Sequence, residues 1–385
     1  MLYFVAWLTD FAALLFVFTG TRFLAEQGAS AVTLGSVGGA FFLASAVSNA
    51  LSGRMADVTG RGRVASCGAL LFVASLGIVA IIAPNGWLFY TAYTGAGISL
   101  GMIYPAVMAW VGQGKGAHAT SRTYLIFCLA FNLGILSAQL SGGWLFEEIG
   151  SHAPLWVAIG LAGLSYLCLC RYQAEDHDIE DSEIGLLGQR DTRIARAFAR
   201  LTWMANFGGM FSMSLVWFLF PKLVVGLNVG ASVHGALLAG GRVVVMSTYC
   251  LMHCFPFWRY GFRFAAIAQL LGIVGLTLLG IATTPIALAL GIGALSVLMG
   301  YNYFASLYYN AMGHTASRQG SAFGMNEAFL GFGAAGGSLI GGLIGTESGI
   351  RAPFQLAALL LATLLLAQGI VWLKLVRPLQ TVPRV

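Results

Sequence analysis

The sequence predicts an all-α membrane protein, with twelve transmembrane helices in two pseudo-symmetric six-helix bundles. Three observations carry this. The 385-residue chain is 58% hydrophobic and only 9% charged, whereas a soluble domain carries roughly 25% charged residues; a soluble fold would have no polar surface to present. The apolar residues fall in runs long enough to span a bilayer, which takes about 20 residues. Short motifs also recur in the second half at a nearly constant offset.

The runs are, in order, 2–23, 34–52, 64–83, 87–111, 123–146, 153–172, 200–221, 230–251, 264–283, 285–312, 319–345 and 353–376. Turn-forming residues divide them, such as Pro84-Asn85-Gly86 and Thr283-Thr284-Pro285. The first run starts at Leu2 with no basic segment ahead of it, so it reads as a span and not as a cleavable signal. With the N-terminus inside, inside segments hold sixteen Lys/Arg residues and outside segments hold Arg22, Lys222 and Arg351. That bias predicts both termini in the cytoplasm of a bacterial cytoplasmic (inner) membrane. The expected units are an N-terminal bundle at 1–172, a cytoplasmic linker at 173–199 and a C-terminal bundle at 200–385. The linker starts acidic (Glu175, Asp176, Asp178, Glu180, Asp181, Glu183) and ends basic (Arg190, Arg193, Arg196).

The net charge of +6 does not indicate nucleic acid, because the basic residues lie in short gaps between apolar runs and form no patch. The six cysteines lie in or at the ends of runs, with no zinc-site spacing, and no metal or cofactor is expected. The Gly-rich stretches lack the Lys and Ser/Thr of a phosphate loop, so ATP is not the expected energy source.

The halves repeat one another. His118-Ala-Thr-Ser-Arg122 precedes the fifth run, and His314-Thr-Ala-Ser-Arg318 precedes the eleventh. Gly134, Ala138, Gly142 and Gly143 match Gly333, Gly337, Gly341 and Gly342, each 199 residues on, and Gly101 and Tyr104 match Gly300 and Tyr303. Repeated halves are a common build for secondary transporters, with the substrate site near the midplane between them. Gly333, Gly337, Gly341 and Gly345 line one helix face and let another helix approach closely.

After the second run comes Gly53-Arg-Met-Ala-Asp57-Val-Thr-Gly60-Arg61-Gly-Arg63. Its glycine, its aspartate four residues on, and its Gly-Arg with further basic residues closely resemble the signature loop of the major facilitator superfamily. With twelve runs, a central linker and duplicated halves, the resemblance covers essentially the whole chain and implies the major facilitator fold. It implies that Gly53, Asp57, Gly60, Arg61 and Arg63 form a conformational latch for the outward-facing state. Asp57 is placed to pair with Arg61 and to sit at a neighbouring helix N-terminus, where negative charge is favoured. The chain departs from the family at Val58, where a basic residue is common, and in the second-half copy of the loop. That copy reads Trp258-Arg259-Tyr-Gly261-Phe-Arg263 and has no aspartate. Thr91 replaces the fourth-helix arginine and Ala138-Gln139 the fifth-helix Gly-Pro of drug/proton exchangers, which weakens an efflux-exchanger reading.

Three ionisable residues fall well inside runs: Asp10, Arg242 and Glu327. A charge at the bilayer centre costs roughly 2.5–3.5 kcal/mol on insertion scales and usually faces a cavity or a partner. At 1.5 Å per residue all three reach the middle third of the membrane. Arg242 is the expected anion or carboxylate partner. Asp10 and Glu327 are the expected substrate or proton-coupling groups. Asn326, Asn132, Gln139, Asn206, Asn302, Tyr303 and Tyr93 complete the candidate set, since amides and phenols suit a solute with hydroxyl or amide groups. Tyr308, Tyr309 and Asn310 read as interfacial anchors; His234 and His253, near run ends, read as interface residues. The expected function is a secondary active transporter moving a small organic solute by alternating access, proton-coupled, working as a monomer in the lipid bilayer. The alternatives are a drug or metabolite efflux exchanger and a non-transporting sensor or scaffold derived from a carrier. A membrane enzyme is disfavoured, because the nearest catalytic-looking groups, His118/Arg122 and His314/Arg318, are duplicated like structural features.

Overall fold

In a hydrocarbon environment every backbone N–H and C=O must be satisfied within the chain, which leaves the helix as the default for apolar runs. The computed structural model of the chain describes residues 1–81, 87–112, 117–174, 189–314 and 319–381, and these are helical almost throughout. The first half contains α1 (Leu2–Glu26), α2 (Ala31–Thr59), α3 (Arg61–Ile81), α4 (Trp87–Gly112), α5 (Ala117–Trp144) and α6 (Ala153–Ala174). The second contains α7 (Gln189–Phe218), α8 (Phe220–Gly226), α9 (Ala231–Cys254), α10 (Phe262–Ile281), α11 (Pro285–Gly313), α12 (Gln319–Glu347), α13 (Ala352–Val371) and α14 (Arg377–Thr381).

Eleven of these helices are long and apolar enough to cross a membrane; α7 and α8 make the twelfth span when joined across their 41° bend. Among the described residues side chains cap two of the starts. Ser30 Oγ accepts from the Thr33 N–H at 3.0 Å, and Thr284 Oγ1 accepts from Ala287 N–H at 3.3 Å ahead of Pro285, which supplies partners that a helix start otherwise lacks. Helix α7 starts at Gln189, inside the expected linker 173–199. The linker's acidic cluster, the side chain of His118 and residues 315–318 lie outside the described residues.

Within the first half α1 packs on α5 and α6, α2 on α4, and α3 on α4 and α6; within the second α7 packs on α11, α12 and α13, α9 on α11, and α10 on α11 and α13. Two long seams join the halves, α2 along α12 and α5 along α9.

The duplicated glycines make duplicated contacts. Gly134 sits on the Trp7 carbonyl as Gly333 sits on that of Phe207, and Gly101 sits on Ser45 and Ser48 as Gly300 sits on Val245 and Thr248. Across the seams the partners exchange. Gly143 packs on the Ala231 carbonyl and Gly342 on that of Ala31; Gly35 packs on Ser338 and Gly235 on Gln139. Exchanged partners are what a two-fold axis between equivalent halves requires, as in an isologous dimer.

The axis reappears in the hydrogen bonds at the end of the bundle opposite the N-terminus. Arg22 Nη1 donates to the Val229 carbonyl at 3.2 Å, and Lys222 Nζ to the Ala29 carbonyl at 2.5 Å. The Ser232 N–H donates to Glu147 Oε1 at 3.1 Å, and the Val32 N–H to Thr346 Oγ1 at 3.1 Å. Each pair maps onto the other with the halves exchanged. Gly28 and Asn228, in the matching turns, both have positive φ, +77° and +56°, a conformation in which Gly and Asn are the least strained residues. These bonds close the bundle at this end.

Candidate substrate site

Between the halves lies a cavity of about 160 Å3. Asp10 on α1 and Tyr104 on α4 face it from the first half; Arg242 and Tyr249 on α9, Tyr303 on α11 and Glu327 on α12 face it from the second. Much of the remaining wall is aromatic or aliphatic, including Phe41, Phe42, Phe131, Met210 and Trp217. An apolar enclosure with a few converging polar groups is the usual form of a small-molecule site.

The polar groups are only partly paired. The Tyr104 hydroxyl donates to Asp10 Oδ1 at 2.7 Å, and Asp10 Oδ2 has no partner. Arg242 Nη2 has none either, and its guanidinium carbon lies 5.5 Å from the centroid of Trp217, within cation–π range. Among the described residues the ion pairs are Arg22–Glu26 and Asp57–Arg61, so no carboxylate is within pairing distance of Arg242. Glu327 Oε1 accepts from Asn326 Nδ2 at 3.2 Å and lies against the Tyr303 side chain. A buried cation lacking a direct ion pair is costly, and Asp10 interacts with Arg242 only at longer range, so the free face of the guanidinium suits an anionic group in the cavity.

The amides take different places. Asn326 is one residue from Glu327, about 100° around α12, and therefore faces α7, where its Oδ1 accepts from Asn206 Nδ2 at 3.2 Å. Asn302 donates to the Ala205 carbonyl at 3.1 Å and Asn132 to the Cys128 carbonyl at 2.9 Å. These four amides sit in helix seams around the cavity. Gln139 lines a separate void of about 10 Å3 with His234 and Trp217. Tyr93 is on the same face of α4 as Tyr104, but eleven residues earlier, about 16 Å along the helix. Phe16 and Phe89 cover it at ring separations of 4.2 and 4.8 Å, and it borders a smaller cavity of about 70 Å3 within the first half.

Two of the interface readings are corrected. His234 is fully buried, with Phe18 and Phe220 at 5.0 and 5.5 Å. Tyr308, Tyr309 and Asn310 are also buried; both tyrosines pack on Trp258, at 5.4 and 5.8 Å. In each case tertiary contacts cover a residue that composition assigns to the membrane surface.

Sequence reasoning missed Asn49, Trp217 and Tyr249. Asn49 donates to Ser45 Oγ at 3.3 Å and leaves its Oδ1 unpaired at the cavity. For Tyr249 a signal existed, because seven residues from Arg242 is nearly two full turns and hence the same helix face. Trp217 had none, since an indole in an apolar run reads as packing.

At the end bearing the N-terminus, Asp57 Oδ1 lies 3.7 Å from Arg61 Nη2, and the carboxylate accepts from the backbone N–H of Ser321 in the first turn of α12. Arg61 Nη1 donates to the Ala109 carbonyl at 3.0 Å. Gly60 closes α2 at φ +102°, Gly53 lies against Gly324 of α12, and Arg63 is exposed. The loop thus ties α2, α4 and α12 together, with a negative charge where the dipole of α12 favours one.

Residues 2–316 match the sequence profile described as Major Facilitator Superfamily. The chain is 24% identical over 277 residues to a gentisate transporter of Corynebacterium glutamicum, covering 68% of this chain and 60% of that protein. It is 22% identical over 341 residues to the quinolone resistance protein NorA of Staphylococcus aureus, covering 87% and 86%. Among solved structures it is similar to the human organic anion transporter MFSD10 (TETRAN), with a TM-score of 0.72 at 18% identity covering 95% of this chain and 98% of that one. It is also similar to the proton:xylose symporter XylE, with a TM-score of 0.70 at 14% identity covering 97% and 96%.

Proposed function

We propose that this chain, which belongs to the Major Facilitator Superfamily, carries a small aromatic organic anion by alternating access, with proton exchange at Asp10 and Glu327. Membership makes it a multi-pass membrane transporter and not an enzyme. The observation that carries the reading is the unpaired Nη2 of Arg242 in a mostly apolar cavity shared by both halves. A solute carboxylate fills that position, and the phenyl and indole rings take the ring of the solute. An apolar cavity of about 150 Å3 holds a benzene, so about 160 Å3 suits a single substituted ring. The relatives support the class: one transports gentisate and one structural neighbour transports organic anions.

Asp10 and Glu327 are the candidate proton carriers, since intramembrane carboxylates facing a cavity commonly form such relays. The Tyr104 hydroxyl holds one oxygen of Asp10 in place and leaves the other free to take a proton. The Lys/Arg bias supports a cytoplasmic location for both termini, the Asp57 loop inside and the Arg22/Lys222 closure outside. The two bundles 1–172 and 200–385 are the bodies that rock, consistent with the exchanged contacts across the seams.

The test is uptake by proteoliposomes of radiolabelled 2,5-dihydroxybenzoate, with and without a proton gradient. Wild type accumulates it only with the gradient. Arg242→Gln lowers affinity about tenfold or more, the value of a hydrogen bond to a charged group. Glu327→Gln retains exchange and loses gradient-driven accumulation. The proposal fails if no aromatic carboxylate is taken up, or if Arg242→Gln leaves transport unchanged. Extrusion of a cationic amphiphile in its place, indifferent to Arg242, would establish the efflux reading.

A further inference from the structure

The second-half copy of the latch loop lacks its aspartate, and the structure puts something specific there. In the first half Arg61 has Asp57 as its anion. At an offset of about 200 residues Phe257 is the sequence counterpart of Asp57, but α9 ends at Cys254 and Phe257 lies in the turn after it, whereas Asp57 is still inside α2. Phe257 is 62% exposed. Arg259 and Arg263 follow in the loop, and among the described residues neither is in an ion pair. Arg259 lies over the Tyr308 ring at 4.7 Å, with its Nε buried and unpartnered. Arg263 is exposed and lies over the Phe264 ring at 4.6 Å.

Beside these arginines is an apolar groove of about 240 Å3 between α9, the turn after it, α10 and α11. Leu251, Phe255, Phe257, Phe264, Ile267 and Leu271 line it. Leu251, Phe255 and Ile267 are all more than half exposed, so the groove opens on the outside of the bundle, where lipid chains lie. Phe257 and Phe264, 5.0 Å apart, form the wall nearest the guanidinium of Arg263.

We propose that this groove holds one anionic phospholipid of the leaflet at the latch end, with an acyl chain against the six apolar residues and the headgroup phosphate on Arg259 and Arg263. The phosphate supplies the anion that Asp57 supplies in the other half. Arginine forks match phosphate oxygens bidentately, and basic pockets between transmembrane helices are known headgroup sites. A zwitterionic lipid of equal chain length fills the groove with the same apolar contact and without the net charge. The site is independent of the solute cavity and of its proposed substrate.

Native mass spectrometry of the purified chain tests this, with phosphatidylglycerol and phosphatidylcholine of identical acyl chains as probes. Wild type retains one phosphatidylglycerol in preference to phosphatidylcholine by about tenfold or more, from two arginines near the headgroup. Arg259→Gln with Arg263→Gln abolishes the preference, and Arg259→Lys with Arg263→Lys keeps most of it. Leu271→Trp, which fills the groove and leaves both arginines in place, lowers retention of both lipids. If the glutamine pair does not fold, the lysine pair and Leu271→Trp decide the question. Equal retention of the two lipids by wild type overturns the proposal, as does an unchanged preference in the glutamine pair or unchanged retention in Leu271→Trp. Displacement of the lipid by inorganic phosphate also overturns it, by reducing the site to a free-anion site.

Discussion

Replacing Gln139 with leucine should make the closed form of the transporter more stable and the carrier slower. Both polar atoms of the Gln139 side chain are buried without a partner, as are both ring nitrogens of His234 and the Trp217 Nε1. Gln139, His234 and Trp217 face one void of about 10 Å3, at the lower limit for a single water. Gln139 and His234 lie on the α5–α9 seam, which is packed while the Arg22/Lys222 end is shut. Leaving a buried polar group unpaired costs about 1–3 kcal/mol. When that end opens, water reaches the amide and the cost disappears, so the orphaned groups favour opening. Leucine fills nearly the same volume without the polar atoms, and the closed form gains about 1–3 kcal/mol, or about 5- to 150-fold in the closed-to-open ratio. The assay is the alkylation rate of Thr21→Cys, whose position borders the same void, compared with and without Gln139→Leu in a background with the native cysteines removed. Alkylation should slow by about that factor while the melting temperature rises. A lower melting temperature with unchanged alkylation would refute the reasoning and point to an ordered water satisfying the amide.

Three further outcomes follow from the same geometry. Arg22→Ala and Lys222→Ala each remove one charge-assisted bond of the closure and should each speed alkylation of the same reporter by about tenfold, the value of one such bond; an unchanged rate in either variant would mean that its bond does not hold this end shut. Gly35→Val should abolish transport, since even a Cβ there meets the Gly342 Cα at 2.8 Å, whereas Gly77→Val, with nothing within 4 Å, should be silent; transport by the first variant would mean the α2–α12 seam is looser than described. Tyr104→Phe deletes the donor to Asp10 and should weaken gradient-driven uptake several-fold, about the value of one hydrogen bond to a charged group, with solute exchange at equal pH less affected; equal losses in both assays would mean Tyr104 serves solute binding.

The candidate site was legible in part. Asp10, Arg242 and Glu327 stand out from sequence because each is charged within an apolar run, and all three face one cavity. Tyr303 also faces it. The amides were harder. Asn206 donates to Asn326 across α7 and α12, and Tyr93 is spent on packing with Phe16 and Phe89. Polar residues in a membrane helix either pair with another helix or border a cavity, and composition is the same for both outcomes.

By itself the sequence determined the spans, because run length against bilayer thickness is a local property. It also determined the duplication, because glycines that allow close approach must be written at the contact. Only the tertiary structure decided which face of each helix meets lipid, seam or cavity. These helices are apolar on nearly all sides, so no polar stripe marks a solvent face from which the rest can be inferred. Azimuth is then set by the packing partners, and with it the grouping of Trp217, Tyr249 and Asn49 around Arg242 and the burial of His234.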